Sequence, residues 1–144
     1  MSASSAAVFA FPQPIAGDVV LCRFPINLVQ PAPGPKARPA IILQVYAPME
    51  GEACYRVRVC YGTKNLTRIY PHDCEILQAT HPVEYHSAGL SYDTKFDMQQ
   101  VILLPYTAEW FKVPNHAQFG VTPKLGVLHP STVPRLLRAK RNVP

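Results

Sequence analysis

Proline interrupts this 144-residue chain sixteen times, about twice the ~5% share of an average protein. Its ring fixes φ and removes an N–H donor, so a chain punctuated in this way builds short strands and rigid turns rather than long helices. The expectation is a mainly β fold. A length of 144 residues with 48% hydrophobic content suffices for one domain with its own core, without disulfides or metal. No stretch approaches the ~20 apolar residues of a membrane-spanning helix, so no membrane association is expected.

Residues 1–16 read as a flexible arm, Ala-rich and then broken by Pro12 and Pro14, with order beginning at Gly17. GDVVLCRFPI is a short β run stopped by Pro25. NLVQPAPGPKA, residues 27–37, is a loop with no periodic pattern, the kind of segment that often carries function. RPAIILQVY follows as a strand, with Pro39, Ile41, Leu43 and Val45 on one face and Arg38, Ala40, Ile42, Gln44 and Tyr46 on the other. CYRVRVCYGT alternates most clearly, placing Tyr55, Val57, Val59 and Tyr61 opposite Arg56 and Arg58, as in a half-buried antiparallel strand. RIYPHDCEIL reads as a further strand interrupted at Pro71. In the last long strand, within residues 87–106, Lys95, Asp97 and Gln99 share a face. TAEWF suggests a helical turn capped by Thr107, and STVPRLLRAKRN a C-terminal helix capped by Ser131 with an apolar stripe of Val133, Leu136 and Leu137. About five short strands with few helices fit a small barrel. The expected organisation is the arm, a barrel domain over 17–130 with an insertion near 79–93, and a basic tail over 131–144.

The net charge of +5 is unevenly spread. Arg135, Arg138, Lys140 and Arg141 supply four of those charges. Lys36 to Arg68 holds six bases and two acids, whereas Asp73 to Glu109 holds one base and six acids. One face of the protein can attract phosphate and another a basic partner, or both are solvated faces with no partner. Cysteines 22, 54, 60 and 74 form no C-x-x-C pair, and the first residues lack the basic and apolar regions of a signal peptide, so free thiols and a cytoplasmic location are expected. His72 and Cys74 have ligand chemistry but no second pair at metal spacing, so no metal and no cofactor are expected.

In order, GDVVLCRF, KARPAIIL, VCYGT and the strand holding TKFDMQQ resemble the successive motifs of the MazF/PemK family of toxin endoribonucleases, over roughly residues 17–104. The resemblance implies a compact SH3-like barrel with short helices, a homodimer that cuts single-stranded RNA without a metal and is restrained by a cognate antitoxin peptide. In that family an arginine before Pro-Ala faces a threonine or serine that ends the third core strand. Those positions are Arg38 and Thr63. Some members add a basic-x-acidic pair on a later strand, matched here by Lys95 and Asp97, with Lys for the commoner Arg. Lysine lacks the planar fork of arginine and grips phosphate less specifically. HPVEYHSAGLSYD and the chain after residue 104 lie outside the resemblance.

The chemistry needs little apparatus. RNA carries its own nucleophile, the 2′-hydroxyl, so a site must deprotonate it, neutralise a pentacovalent phosphorane and protonate the leaving 5′ oxygen. Arg38 would stabilise the phosphorane through bidentate bonds or act with Lys95 on the leaving group, Thr63 would hold a phosphate oxygen, and Asp97 would take the 2′ proton. The products would be a 2′,3′-cyclic phosphate and a 5′-hydroxyl. Lys36, Arg56, Arg58, Lys64 and Arg68 are the candidate RNA-binding bases. Plainer roles are a surface arginine lying on apolar neighbours, a turn-capping Thr63 and a surface Lys95–Asp97 ion pair. Two other functions share such a barrel: a CcdB-like poison of DNA gyrase, and a catalytically idle module that binds protein or nucleic acid.

Overall fold

The computed structural model describes residues 10–144. Six strands form one antiparallel sheet: β1 (Asp18–Cys22), β2 (Arg38–Tyr46), β3 (Arg56–Thr63), β4 (Asp73–Ile76), β5 (Thr94–Pro105) and β6 (Lys124–Val127). Their order is β4-β5-β3-β2-β1-β6, so β3 and β2 are central and β4 and β6 are edges. Among the described residues two α-helices accompany them, α1 (Pro82–Ser87) and α2 (Val133–Arg141), the second preceded by a short 3-10 turn over Pro130–Thr132. β6 has only four residues after Pro123, too short a run for the sequence pattern to mark; it is a sixth strand where about five were expected.

Register shifts lie between Val19 and Val20, between Ile42 and Gln44, and between Cys60 and Tyr61. Such bulges bend the strand and increase its twist, and the sheet curls as a half-barrel of the expected SH3-like kind. They also break strict alternation. Ala40 and Ile42 pack on one face with Val57, Val59 and Leu104, while Ile41 packs on the other with Val19, Cys60 and Phe96. Beyond the shift Val45 joins the Ala40 face, and Leu43 stays with Ile41. The two-face reading of β2 therefore holds only as far as the bulge. Both faces are buried there, whereas the Arg38 face was expected to be the more polar.

The expected arm includes residues 1–9, which lie outside the described residues. Phe11 is buried, its N–H donates to the Tyr106 carbonyl at 3.1 Å, and its ring centroid lies 5.4 Å from that of Tyr106. The packed chain thus reaches back past Gly17. Residues 79–93 contribute Tyr85, Ala88 and Leu90 to the core. On α2 the residues that dock are Leu136 and Ala139, three apart, with Val143 beyond the helix end. Val133 and Leu137 remain exposed, so the stripe is narrower and rotated from the expected one. Thr132 is the N-terminal flank of α2 and makes no side-chain cap, while the Ser131 hydroxyl donates to Glu84. The Thr107 hydroxyl likewise makes no cap and has no hydrogen-bond partner among the described residues; the backbone closes a turn there through Trp110 N–H to Thr107 O at 3.1 Å.

Candidate functional site

Antiparallel order brings the C-terminal ends of β1, β3 and β4 to the same end of the sheet as the N-terminal ends of β2, β5 and β6. Arg38, Thr63 and Lys95 all sit at that end. Ala40 is paired with Tyr61, so two residues outward Arg38 is level with Thr63, and Thr63 is paired with Lys95. Cross-strand partners share a face. One row therefore runs Arg38, Thr63, Lys95, and the row beneath it runs Tyr61, Asp97, Asp73. With strands ~4.8 Å apart and a rise of ~3.4 Å per residue, the Cα atoms of Arg38 and Asp97 stand about 12 Å apart.

Gly62 is what brings the ends of β2 and β3 this close. A Cβ there would meet the Pro39 carbonyl oxygen at 2.3 Å and the Phe96 ring at 2.8 Å. The loop before Arg38 is tied down in a similar way, since Gly34 N–H donates to the Arg23 carbonyl at 2.9 Å and a Cβ on Gly34 would meet the Phe24 carbonyl. Between that loop and β3 lies a cleft of about 390 Å³ lined by Phe24, Pro25, Lys36, Arg38, Tyr61 and Gln100. The Phe24 and Tyr61 rings pack at 5.0 Å and form its apolar wall.

Arg38 is half-buried, yet its guanidinium donates no hydrogen bond and makes no ion pair among the described residues. Other arginines are committed: Arg23 donates to the carbonyls of Ala108 and Phe111, and Arg135 to Glu75 at 2.8 Å. A guanidinium held in a cleft with its donors free suits an oxyanion brought by a ligand. Thr63 Oγ1 accepts from Asn65 N–H at 3.2 Å, which leaves its own O–H to donate.

The ion pairing of Lys95 differs from the surface-pair alternative. Its Nζ lies 3.1 Å from Asp73 Oδ2 and also donates to the Arg68 carbonyl, whereas Asp97 Oδ1 lies 3.5 Å from His72 Nε2 and accepts from Gln99 N–H at 2.9 Å. His72 stacks on Tyr70 at 5.2 Å. Asp73 is a functional candidate that the sequence reading missed, and His72, considered there as a metal ligand beside Cys74, enters instead as the partner of Asp97. Only the register of β4 on β5, with Asp73 opposite Asp97, brings them in. His72, Asp73 and Asp97 each offer a ligand atom within 4.8 Å of the others, a set chemically able to hold a cation. Cys74, the earlier candidate partner of His72, lies in the buried core, where burial pushes its thiol up to about 11. Burial pushes the Cys22 and Cys60 thiols up as well.

Lys36 and Lys64 flank this end of the sheet and are exposed. Arg68 is exposed too, its Nη1 3.4 Å from the Tyr70 hydroxyl. Arg56 and Arg58 are not gathered with them. They stand seven and five residues from Thr63 along β3, about 24 and 17 Å at ~3.4 Å per residue. There Arg56 pairs with Glu52 at 3.6 Å and Arg58 with Gln44 at 3.1 Å.

By sequence the chain matches no family profile and no curated protein. Solved structures do match. The Mycobacterium tuberculosis toxin MazF-mt6 superposes with a TM-score of 0.54 at 16% identity, over 87% of this chain and 93% of its own. An endoribonuclease in complex with its cognate antitoxin, from Mycobacterial species, superposes with a TM-score of 0.55 at 18% identity, over 92% and 98%. The fold is that of MazF toxins. In this MazF-like fold the end of the sheet holding Arg38 and Thr63 is the candidate site. No helix among the described residues is long and apolar enough to cross a membrane.

Proposed function

We propose that the chain is an endoribonuclease toxin of the MazF type, cutting single-stranded RNA to 2′,3′-cyclic phosphate and 5′-hydroxyl ends and so inhibiting growth. The observation that carries this reading is the uncommitted, half-buried Arg38 guanidinium level with the free Thr63 O–H at the open end of the sheet. The scissile phosphate lies in the cleft of Arg38. Asp97 takes the 2′ proton, with His72 at 3.5 Å to share it, and the 2′ oxygen attacks phosphorus. Arg38 and Thr63 hold the phosphorane oxygens. The P–O5′ bond then breaks and the leaving 5′ oxygen takes a proton from water, balancing the one that Asp97 accepted. Lys95, already bound to Asp73 and the Arg68 carbonyl, adds positive potential and holds β4 to β5 rather than transferring a proton.

Chain pairing and an antitoxin belong to the same proposal. Beside α2 runs a largely apolar groove lined by Leu43, Val101, Val133 and Leu137, with Arg58 and Lys140 on its rim. Apolar walls under basic rims suit an acidic amphipathic peptide, the chemistry expected of an antitoxin segment.

The test is cleavage of a labelled single-stranded RNA by purified protein in EDTA. Arg38→Ala is expected to slow single-turnover cleavage ~10²-fold or more, the loss typical of a single oxyanion donor, with an unchanged thermal midpoint. Arg38→Lys keeps the charge but loses the fork, and is expected to stay badly impaired. Near-normal cleavage by Arg38→Ala would refute the assignment. Gyrase inhibition without RNA cleavage would establish the poison reading instead, and neither activity the idle module.

A further inference from the structure

A second cleft of about 390 Å³ opens next to Arg38, on the Pro39 side of β2. Its floor is apolar, formed by Leu21, Pro39 and Leu125, and its walls carry Tyr92, Lys112, Asn115 and His116. These groups come from the stretch after α1 and from the connection between β5 and β6, outside the part of the chain whose motifs resemble the toxin family. Its volume falls within the ~300–1,000 Å³ of small-ligand pockets.

Two features show what chemistry it would take. First, its polar side chains are unspent: Lys112, Asn115, His116 and Gln118 are exposed and make no hydrogen bond or ion pair among the described residues, and no acidic residue lines the cleft. Lys124 is the exception, held 3.3 Å from Asp18. Second, Tyr92 stands at the boundary with the Arg38 cleft. Lys64 Nζ lies 5.7 Å from its ring centroid, and the Arg38 guanidinium is near enough to pull down a phenol that burial pushes up. A half-buried aromatic ring, free amides and a free ammonium over an apolar floor together match one nucleotide unit: a face to stack a base, donors and acceptors for its edge, and a cation for its phosphate.

We propose that this cleft is a nucleotide subsite, holding the RNA residue next to the scissile phosphate with its base on Tyr92 and its outer phosphate on Lys112. The inference rests on the nuclease reading for the place of the scissile phosphate. The strand then passes over the end of β2, with one phosphate at Arg38 and the next unit turning onto the Pro39 side. Sequence preference at that unit is set by Asn115, His116 and Gln118, the edge-reading groups of the cleft.

The experiment compares full-length wild type with Tyr92→Ala, Tyr92→Phe and the double variant Lys112→Ala/His116→Ala. It reads affinity for a fluorescent single-stranded RNA across a salt series, cleavage kinetics on a randomised RNA, and the thermal midpoint. Tyr92→Ala is expected to weaken binding about tenfold, within the range of lost base–aromatic stacks, and Tyr92→Phe to bind as wild type. The double variant is expected to flatten the dependence of log K on log salt by about 0.7 per lost phosphate contact and to relax the preference at the nucleotide beside the cut. If wild type cuts RNA and all three variants bind, cut and select as it does, the subsite is refuted and the nuclease reading stands. If the variants lose RNA binding as expected but wild type cuts nothing, the nuclease reading alone falls. Absence of RNA binding by wild type overturns both.

Discussion

Replacing Lys95 separates a structural cation from a chemical one. Its ammonium lies 3.1 Å from Asp73 Oδ2, with the Lys95 side chain 12% exposed and the Asp73 side chain fully buried. At an effective dielectric of about 20, Coulomb's law gives roughly 5 kcal/mol of attraction at that distance, part of which offsets the desolvation of both groups. Asp73 has few other supports. Tyr70 N–H donates to Oδ2 at 2.8 Å, and Oδ1 has no hydrogen-bond partner among the described residues. Lys95→Ala would leave that carboxylate buried without its cation, at a cost of about 3–5 kcal/mol. For a domain of this size the thermal midpoint should fall on the order of 10–15 °C. Lys95→Met combined with Asp73→Asn removes both charges while keeping volume and an acceptor for Tyr70 N–H, and should recover most of the loss. The assays are thermal unfolding by circular dichroism and single-turnover cleavage below each variant's midpoint. A Lys95→Ala midpoint within 2 °C of wild type would refute the buried-pair argument. A double variant that is folded but inactive would show that Lys95 or Asp73 acts in the chemistry after all.

Gly62→Ala places a Cβ 2.3 Å from the Pro39 carbonyl oxygen, so the ends of β2 and β3 must part. A loss of about 1–3 kcal/mol in urea unfolding is expected, together with slower cleavage because Arg38 and Thr63 move apart; unchanged stability would show that the backbones can separate freely. Lys36→Ala and Lys64→Ala should each weaken RNA binding and reduce its salt slope, whereas Arg56→Ala, at the other end of β3, should leave both nearly unchanged in a fluorescence titration. A slope reduced equally by Arg56→Ala would mean that the RNA track runs the length of the strand.

The sequence by itself determined the mainly β class, because proline and alternating apolar residues act locally. Proline limits its own backbone, and period-two patterning declares a strand without reference to any partner. The alternation of Val57 and Val59 against Arg56 and Arg58 holds for that reason. Arg38 at the mouth of β2, between a patternless loop and an apolar run, was legible in the same way. What local pattern cannot carry is register. Asp97 and Lys95 share a face in sequence, but which acid meets which base depends on β4 sliding onto β5 until Asp73 lies opposite Asp97. That pairing gives Lys95 to Asp73 and leaves Asp97 to His72. The parity of β2 past Ile42, the docking stripe of α2 and the separation of Arg56 and Arg58 from Arg38 were likewise decided by the tertiary structure. Each depends on how a bulge or a neighbouring surface shifts one element against another, since moving a strand by one residue exchanges its two faces with no change in its own sequence.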